Sequence, residues 1–250
     1  FCMQDIISIR SSYLLVQDPE RNEIFRSSIH YCDLMTSISE FSLKDTMDYY
    51  KTEFDNRCIP TRVIYHGTDK LYDPAKNPGF KLPFDNYFVV FGNFYKHKFV
   101  PQLLEALKSS KHRIIVIGST SEGAIGNSMY GYKSGNLSDE FIDYVLGNSL
   151  GIIFPSIYEG FGLPFLDGMS YSKKIIVNNT ELNRELRNYF DAFSENVYIF
   201  DSLDEVDGIL DKVEADPVIH YKNNDSHIRS WEDSAKELED CLAGVLAAPV

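Results

Sequence analysis

From about residue 60 onward, short apolar runs alternate with amphipathic segments, and this alternation constrains the fold more than any other feature of the chain. The runs are Arg62–Tyr65, Tyr87–Phe91, Arg113–Ile117, Leu150–Phe154, Lys174–Val177 and Val197–Phe200. They are rich in Val, Ile and Phe and are continuous rather than alternating, the pattern of parallel strands buried on both faces. Between them the spacing predicts helices over Val100–Ser109, Ser138–Leu146, Leu163–Ser172, Thr180–Tyr189 and Leu203–Val213. Ser138 followed by Asp139 and Glu140 supplies an N-cap and an acidic first turn. Strand and helix in regular succession predict an α/β fold, a Rossmann-like doubly wound parallel sheet. The Gly- and Ser-rich stretch Ser119–Asn136 interrupts the rhythm and reads as a surface loop.

Residues 1–60 read differently. Arg21–Tyr31 and Ser42–Phe54 have helical spacing, and Asp33–Ser39 reads as a strand between them. One strand with flanking helices cannot form an independent sheet. A further helix is expected over about Ser230–Leu246.

In open α/β sheets, ligands bind outside the carboxyl ends of the strands. Three predicted strand ends carry glycine or polar residues. Tyr87–Phe91 ends at Gly92 and Asn93, followed by Lys96, His97 and Lys98. Arg113–Ile117 ends at Gly118. Leu150–Phe154 leads to Glu159, then Gly160, Phe161, Gly162, Leu163 and Pro164. A strand that ends in a glycine-rich turn feeding a helix offers backbone N–H groups and a favourable dipole to an anion. A carboxylate beside such a turn suits a ligand bearing both phosphates and hydroxyls, as a nucleotide sugar does.

These residues resemble the motifs of retaining family 4 glycosyltransferases with the GT-B fold. The stretch Glu159-Gly-Phe-Gly-Leu-Pro164 resembles the start of that family's signature, with Glu159 as the first acid and Asp167 at the place of the second, where Glu is usual. Val63-Ile-Tyr-His-Gly-Thr-Asp69 resembles its interdomain entry, and Ser230-Trp-Glu-Asp-Ser-Ala235 its closing helix. Phe91-Gly-Asn-Phe-Tyr-Lys-His-Lys98 resembles its phosphate turn, with Asn93 in place of Arg. The resemblance runs in order over roughly residues 28–245. It implies a tail of an N-terminal, acceptor-side Rossmann domain over 1–60, a donor-binding Rossmann domain over 61–228, and a C-terminal helix over 229–250 that packs back toward the N-terminal domain. Further sequence upstream of Phe1 is expected.

For the site, the resemblance implies donor binding by Gly92, Asn93, Lys98, Gly118, Glu159, Gly160, Phe161, Gly162, Leu163 and Asp167. Glu159 would hold sugar hydroxyls, Lys98 the diphosphate and Asp167 the ribose, with Glu159 and Lys98 carrying catalysis. Asp167 also reads simply as an exposed helix acid, His66 as a structural histidine and Glu185 as a helix-face residue. No metal and no cofactor beyond the nucleotide-sugar substrate, a UDP- or GDP-sugar, are expected. The expected acceptor is a saccharide or a lipid-linked one, as in surface polysaccharide synthesis, with a cytoplasmic location that extends to the inner face of a membrane. A nucleotide-sugar-binding subunit without catalysis stays open as the alternative.

Composition narrows the partners. The net charge of −13, from 24 basic and 37 acidic residues, argues against nucleic acid, which needs a basic face. Cys2, Cys32, Cys58 and Cys241 form no C-x-x-C pair, so neither a disulfide framework nor a zinc site is expected. A dinucleotide-dependent oxidoreductase would need G-x-G-x-x-G after its first strand, and none occurs.

Overall fold

A computed structural model describes residues 1–11, 20–70, 79–133, 135, 137–222 and 228–247. The chain divides into two compact units. The first holds residues 1–69, 158–162 and 229–250, and the second residues 70–157 and 163–228.

The first unit contains a small parallel sheet of β1 (Cys2–Met3), β2 (Met35–Ser37) and β3 (Thr61–Val63), in that order. β1 is two residues long and gave no sequence signal. The segment read as opening the second domain, Arg62–Tyr65, instead supplies β3, which pairs with β2. Helices Arg21–Tyr31, Glu40–Tyr49 and Lys51–Arg57 pack around a core that includes Met3, Ile6, Ile29, Met35, Tyr50 and Phe54. Ser39 caps the second of these helices by accepting from the Ser42 N–H at 3.0 Å. The single helix expected over Ser42–Phe54 breaks at Tyr50, which leaves helical geometry with φ −102° and ψ 32°.

Helix Trp231–Leu246 starts at a capping box in which Ser230 and Asp233 satisfy each other's backbone N–H groups. Its base is tied to the end of β3. Thr68 N–H donates to Arg229 O at 2.8 Å, Ser234 Oγ donates to Tyr65 O at 2.8 Å, and Trp231 N–H donates to Asp69 Oδ1 at 3.1 Å. Two stretches that were weak signals singly therefore meet in space.

Among its described residues the second unit is built on seven strands, β4 (Tyr87–Phe91), β5 (Arg113–Ser119), β6 (Gly123–Ile125), β7 (Met129–Lys133), β8 (Gly151–Phe154), β9 (Lys174–Asn178) and β10 (Val197–Phe200). Their order in the sheet is β10-β9-β8-β4-β5-β7-β6. Every pairing is parallel except β6 with β7. Successive residues on a strand point to opposite faces, and both faces are covered. Phe88, Val90, Ile114 and Val116 join Leu103, Leu104 and Leu210 on one face. Tyr87, Val89 and Ile115 join Val145 and Leu146 on the other. Each such side chain removed from water contributes about 1.5–3 kcal/mol. Two-sided burial explains why these strands read as unbroken apolar runs.

The loop expected over Ser119–Asn136 is a correction. β6 and β7 form a hairpin there, and β7 extends the sheet by pairing with β5 from Ile114↔Met129 to Ile117↔Tyr132. Met129 and Tyr132 are buried. Among the described residues, no helix is long and apolar enough to cross a membrane.

Candidate functional site

In the second unit the neighbouring strands β8, β4 and β5 end side by side. The ends of β4 and β5 are held unusually close. Gly118 has φ +107°, and a Cβ there would lie 2.5 Å from Gly92 O. Only glycine tolerates that backbone angle and that approach. Gly92 N–H donates to Ile117 O at 3.1 Å, locking the two ends together. The result is a pair of strand ends packed closely against each other, with Val100 and Lys98 beside Gly92, at the carboxyl edge of the sheet where open α/β sheets bind their ligands.

Asn93 begins the turn that follows. Its Oδ1 accepts from the Tyr95 N–H at 3.1 Å, so the carboxamide oxygen shapes the turn. The turn continues through a short 3₁₀ segment, Lys96–Lys98, and reverses at Phe99 with φ +58°. This brings the Lys98 ammonium 5.8 Å from the centre of the Phe154 ring, the last residue of β8, within cation–π reach. Lys98 thus stands beside the strand ends rather than out in solvent. His97 is buried, and its carbonyl accepts from the Ile157 N–H at 2.9 Å. That bond joins the basic turn to the segment leaving β8.

Leu163 is exposed and leads into helix Pro164–Ser170, which has Pro164 at its first position. Asp167 lies in its first turn. The alternative of an exposed helix acid does not hold, because Asp167 is half-buried. Burial pushes its carboxyl up to about 6; Lys70 opposes the shift and Asp143 adds to it. Asp143 also accepts from the Tyr171 hydroxyl.

Tyr158, Glu159, Gly160, Phe161 and Gly162 belong to the first unit. The Gly160 carbonyl accepts two hydroxyls, Ser39 Oγ at 2.7 Å and Ser42 Oγ at 2.8 Å. Gly160 is buried, and a Cβ there would fall 2.7 Å from Gln4 O. Tyr158 OH donates to Asp45 Oδ2 at 2.6 Å. The half-buried Glu159 is therefore carried on a turn fixed on both sides. Phe161 is buried, with its ring 5.0 Å from that of His66. His66 in turn lies 5.1 Å from Trp231. Burial lowers the His66 pKa below the usual histidine value. Ser39, Ser42, Asp45 and Tyr158 were not singled out from sequence. Only Ser39 carried a local signal, as an N-cap, and the partners it shares lie more than a hundred residues away.

Glu185 lies in helix Glu181–Tyr189, as read. Among the described residues one cluster, His112 with Asp211 and Glu214, has the composition of a metal site. It sits at the amino end of β5, the edge opposite Gly118, and Lys111 Nζ already lies 2.6 Å from Asp211 Oδ1.

The family model for "Glycosyl transferases group 1" matches residues 76–224, more than half of the chain. No curated protein matches the sequence significantly. Among solved structures, sucrose-phosphate synthase from Thermosynechococcus elongatus superposes with a TM-score of 0.66 at 16% identity, over 94% of this chain and 64% of its own. Anabaena HepE, solved in complex with UDP and glucose, gives 0.64 at 14% identity, over 97% and 70%. The lipopolysaccharide outer core galactosyltransferase WaaB gives 0.56 at 17% identity, over 86% and 62%. At these identities the likeness establishes the fold, a GT-B Rossmann-like α/β architecture. The chain spans less than two thirds of the length of sucrose-phosphate synthase.

Proposed function

Since the chain belongs to the group 1 glycosyl transferases, we propose that it is part of a retaining glycosyltransferase that moves a sugar from a nucleoside diphosphate donor to a saccharide or lipid-linked acceptor. The observation that carries this reading is the close glycine pair at Gly92 and Gly118 on the carboxyl edge of the sheet, with Lys98 beside it, inside the stretch matched by the family. The diphosphate lies against those strand ends. Departure of the nucleoside diphosphate builds negative charge, which a fixed ammonium stabilises more in the transition state than before it. Glu159 accepts from the sugar hydroxyls, and Asp167 accepts from the ribose. The donor is a UDP- or GDP-sugar, and Lys98 rather than a metal ion meets the diphosphate. A role in surface polysaccharide synthesis, at the inner face of a membrane, belongs to the same proposal.

Expressing residues 1–250 and titrating UDP, GDP and their sugar conjugates by calorimetry, with EDTA present, tests the reading. Saturable binding of at least one nucleotide is expected. No binding of any of them by the folded chain would overturn the assignment of the strand ends.

Lys98→Ala is expected to weaken nucleoside diphosphate about 10–100-fold, the worth of a charge-assisted hydrogen bond. The matching nucleoside should lose little. Equal losses for the two ligands would place Lys98 away from the phosphates.

Asp167 gives a pH dependence with a definite sign. Its folded pKa, about 6, lies above the unfolded value. Folding therefore takes up a proton between those values, and stability rises as pH falls through 6, levelling off below the unfolded pKa. Asp167→Asn is expected to stabilise the chain at pH 7 by about 1–2 kcal/mol, with the gain gone by pH 4. Nucleoside affinity moves the other way. The wild type weakens about tenfold relative to Asp167→Asn between pH 7 and pH 5, as the ionised ribose acceptor is lost. A constant ratio of the two affinities across that range would remove Asp167 from the ribose site.

A further inference from the structure

The Glu159 turn is pinned on each side of the acid, and the pin at Tyr158 continues beyond the turn to two further charged residues of the first unit. The Tyr158 hydroxyl donates to Asp45 Oδ2 at 2.6 Å. The other oxygen of that carboxylate, Oδ1, accepts from Arg10 Nε at 2.8 Å and from Arg10 Nη2. Each oxygen thus has its own donor, and the Asp45 side chain is only 14% exposed. Hydrogen bonds to an ionised partner are the strong kind. Burial, with the Asp45 bond added, raises the Tyr158 pKa and keeps its hydroxyl a donor. The Tyr158 ring is braced as well, edge-on to Phe41 with centroids 5.5 Å apart. Arg10 ends the short helix Ile7–Arg10, where the Ile7 N–H donates to Asp5 Oδ1 at 2.9 Å. The same segment walls the second pin: a Cβ at Gly160 would fall 2.7 Å from Gln4 O and 2.9 Å from Asp5 Cβ.

We infer that Arg10 and Asp45 are positioning residues for the Glu159 carboxylate and act on it through Tyr158. The inference rests on the reading of Glu159 as the acid that holds the donor sugar. Arg10 fixes the Asp45 carboxylate, Asp45 fixes the Tyr158 hydroxyl, and the backbone carries the constraint one residue on to Glu159. On the other flank Ser39 and Ser42 hold the Gly160 carbonyl. Release of one pin lets the turn rotate about the other. A group in a binding site keeps its full effect only when held within about 0.5 Å of its productive place. Neither Arg10 nor Asp45 is assigned a contact with the ligand.

Calorimetry on the 250-residue chain measures UDP-glucose against UDP and GDP-mannose against GDP, and the ratio within a pair isolates the contribution of the sugar. Glu159→Ala is expected to cut that ratio about fivefold, the net worth of one hydrogen bond. Tyr158→Phe and Asp45→Ala are expected to cut it about threefold and Arg10→Met less, with the affinity for the bare nucleotide unchanged. Asp45→Asn should recover most of the ratio, because its amide oxygen still accepts from Tyr158. Added to Glu159→Ala, neither Tyr158→Phe nor Asp45→Ala should lower the ratio further, since each acts through the acid. Hydrogen exchange reads the same device without a ligand. Amides of the stretch Tyr158–Gly162 are expected to exchange at least about tenfold faster in folded Tyr158→Phe and Asp45→Ala than in the wild type. Unchanged exchange there, a full ratio in folded Asp45→Ala, an equal fall for the bare nucleotide, or losses that add to that of Glu159→Ala would each overturn the positioning role and leave the sugar reading standing. A ratio untouched by Glu159→Ala, or no binding of either sugar nucleotide, would overturn the sugar reading and this inference with it.

Discussion

Glu159→Ala is expected to lower sugar transfer by the complete protein about 10²–10³-fold, the usual effect of deleting a positioned polar contact in a catalytic site. The fold should survive. The turn that carries Glu159 is held through the Gly160 carbonyl, by Ser39 and Ser42, and through Tyr158 and Asp45. None of those bonds uses the Glu159 carboxylate. The loss should fall mainly on kcat, because the sugar is oriented for reaction while much of the donor's affinity comes from its nucleotide. Steady-state kinetics beside a denaturation curve separates the two effects. Turnover at the wild-type rate in a folded Glu159→Ala enzyme would exclude the carboxylate from the reaction.

The second large effect is expected at Gly118. A methyl group at Gly118 meets the Gly92 carbonyl at 2.5 Å on a backbone with φ +107°. Relief requires β4 and β5 to part at their carboxyl ends. Gly118→Ala should therefore destabilise the second unit by about 3 kcal/mol, through combined strain and overpacking, and weaken nucleotide binding with it. Gly123→Ala is the control. Gly123 also has a positive φ, of +139°, yet a Cβ there meets nothing within 4 Å. Backbone strain alone should cost it about 1 kcal/mol. Urea denaturation of both variants reads the difference. Equal losses would mean that the contact with Gly92 contributes nothing.

The strands of the second unit were legible because each is buried on two faces by contiguous apolar residues. Tyr87–Phe91 and Val197–Phe200 were placed to the residue, and the others within about two. The hairpin of β6 and β7 was not legible. Its sequence interleaves Gly, Ser and Tyr around short apolar stretches, and its edge position asks for less apolar burial than the central strands do. β1 is too short to carry a period at all. At the candidate site, the glycines at strand ends and the Glu159 turn could be read locally, since each depends on its immediate neighbours. The burial of Asp167 could not, because it arises from packing around a helix that also reads well as a surface one. The clamp on Gly160 was equally hidden. A serine hydroxyl aimed at a carbonyl more than a hundred residues away leaves no periodic trace.

The path of the chain through residues 157–163 has a consequence for dissecting the protein. The backbone leaves the seven-stranded unit after Ile157, spends five residues in the smaller one, and returns at Leu163. A gene fragment covering 70–228 would encode every strand of the large sheet. It would also deliver the Glu159 turn without Ser39, Ser42 and Asp45. Recombination at the apparent seam near residue 69 would thus transplant the strand-end glycines and Lys98 but strand the acid in an unorganised loop. The heritable module is larger than the folded one, and chimeras between relatives should exchange Ser39, Ser42 and Asp45 together with Tyr158–Gly162.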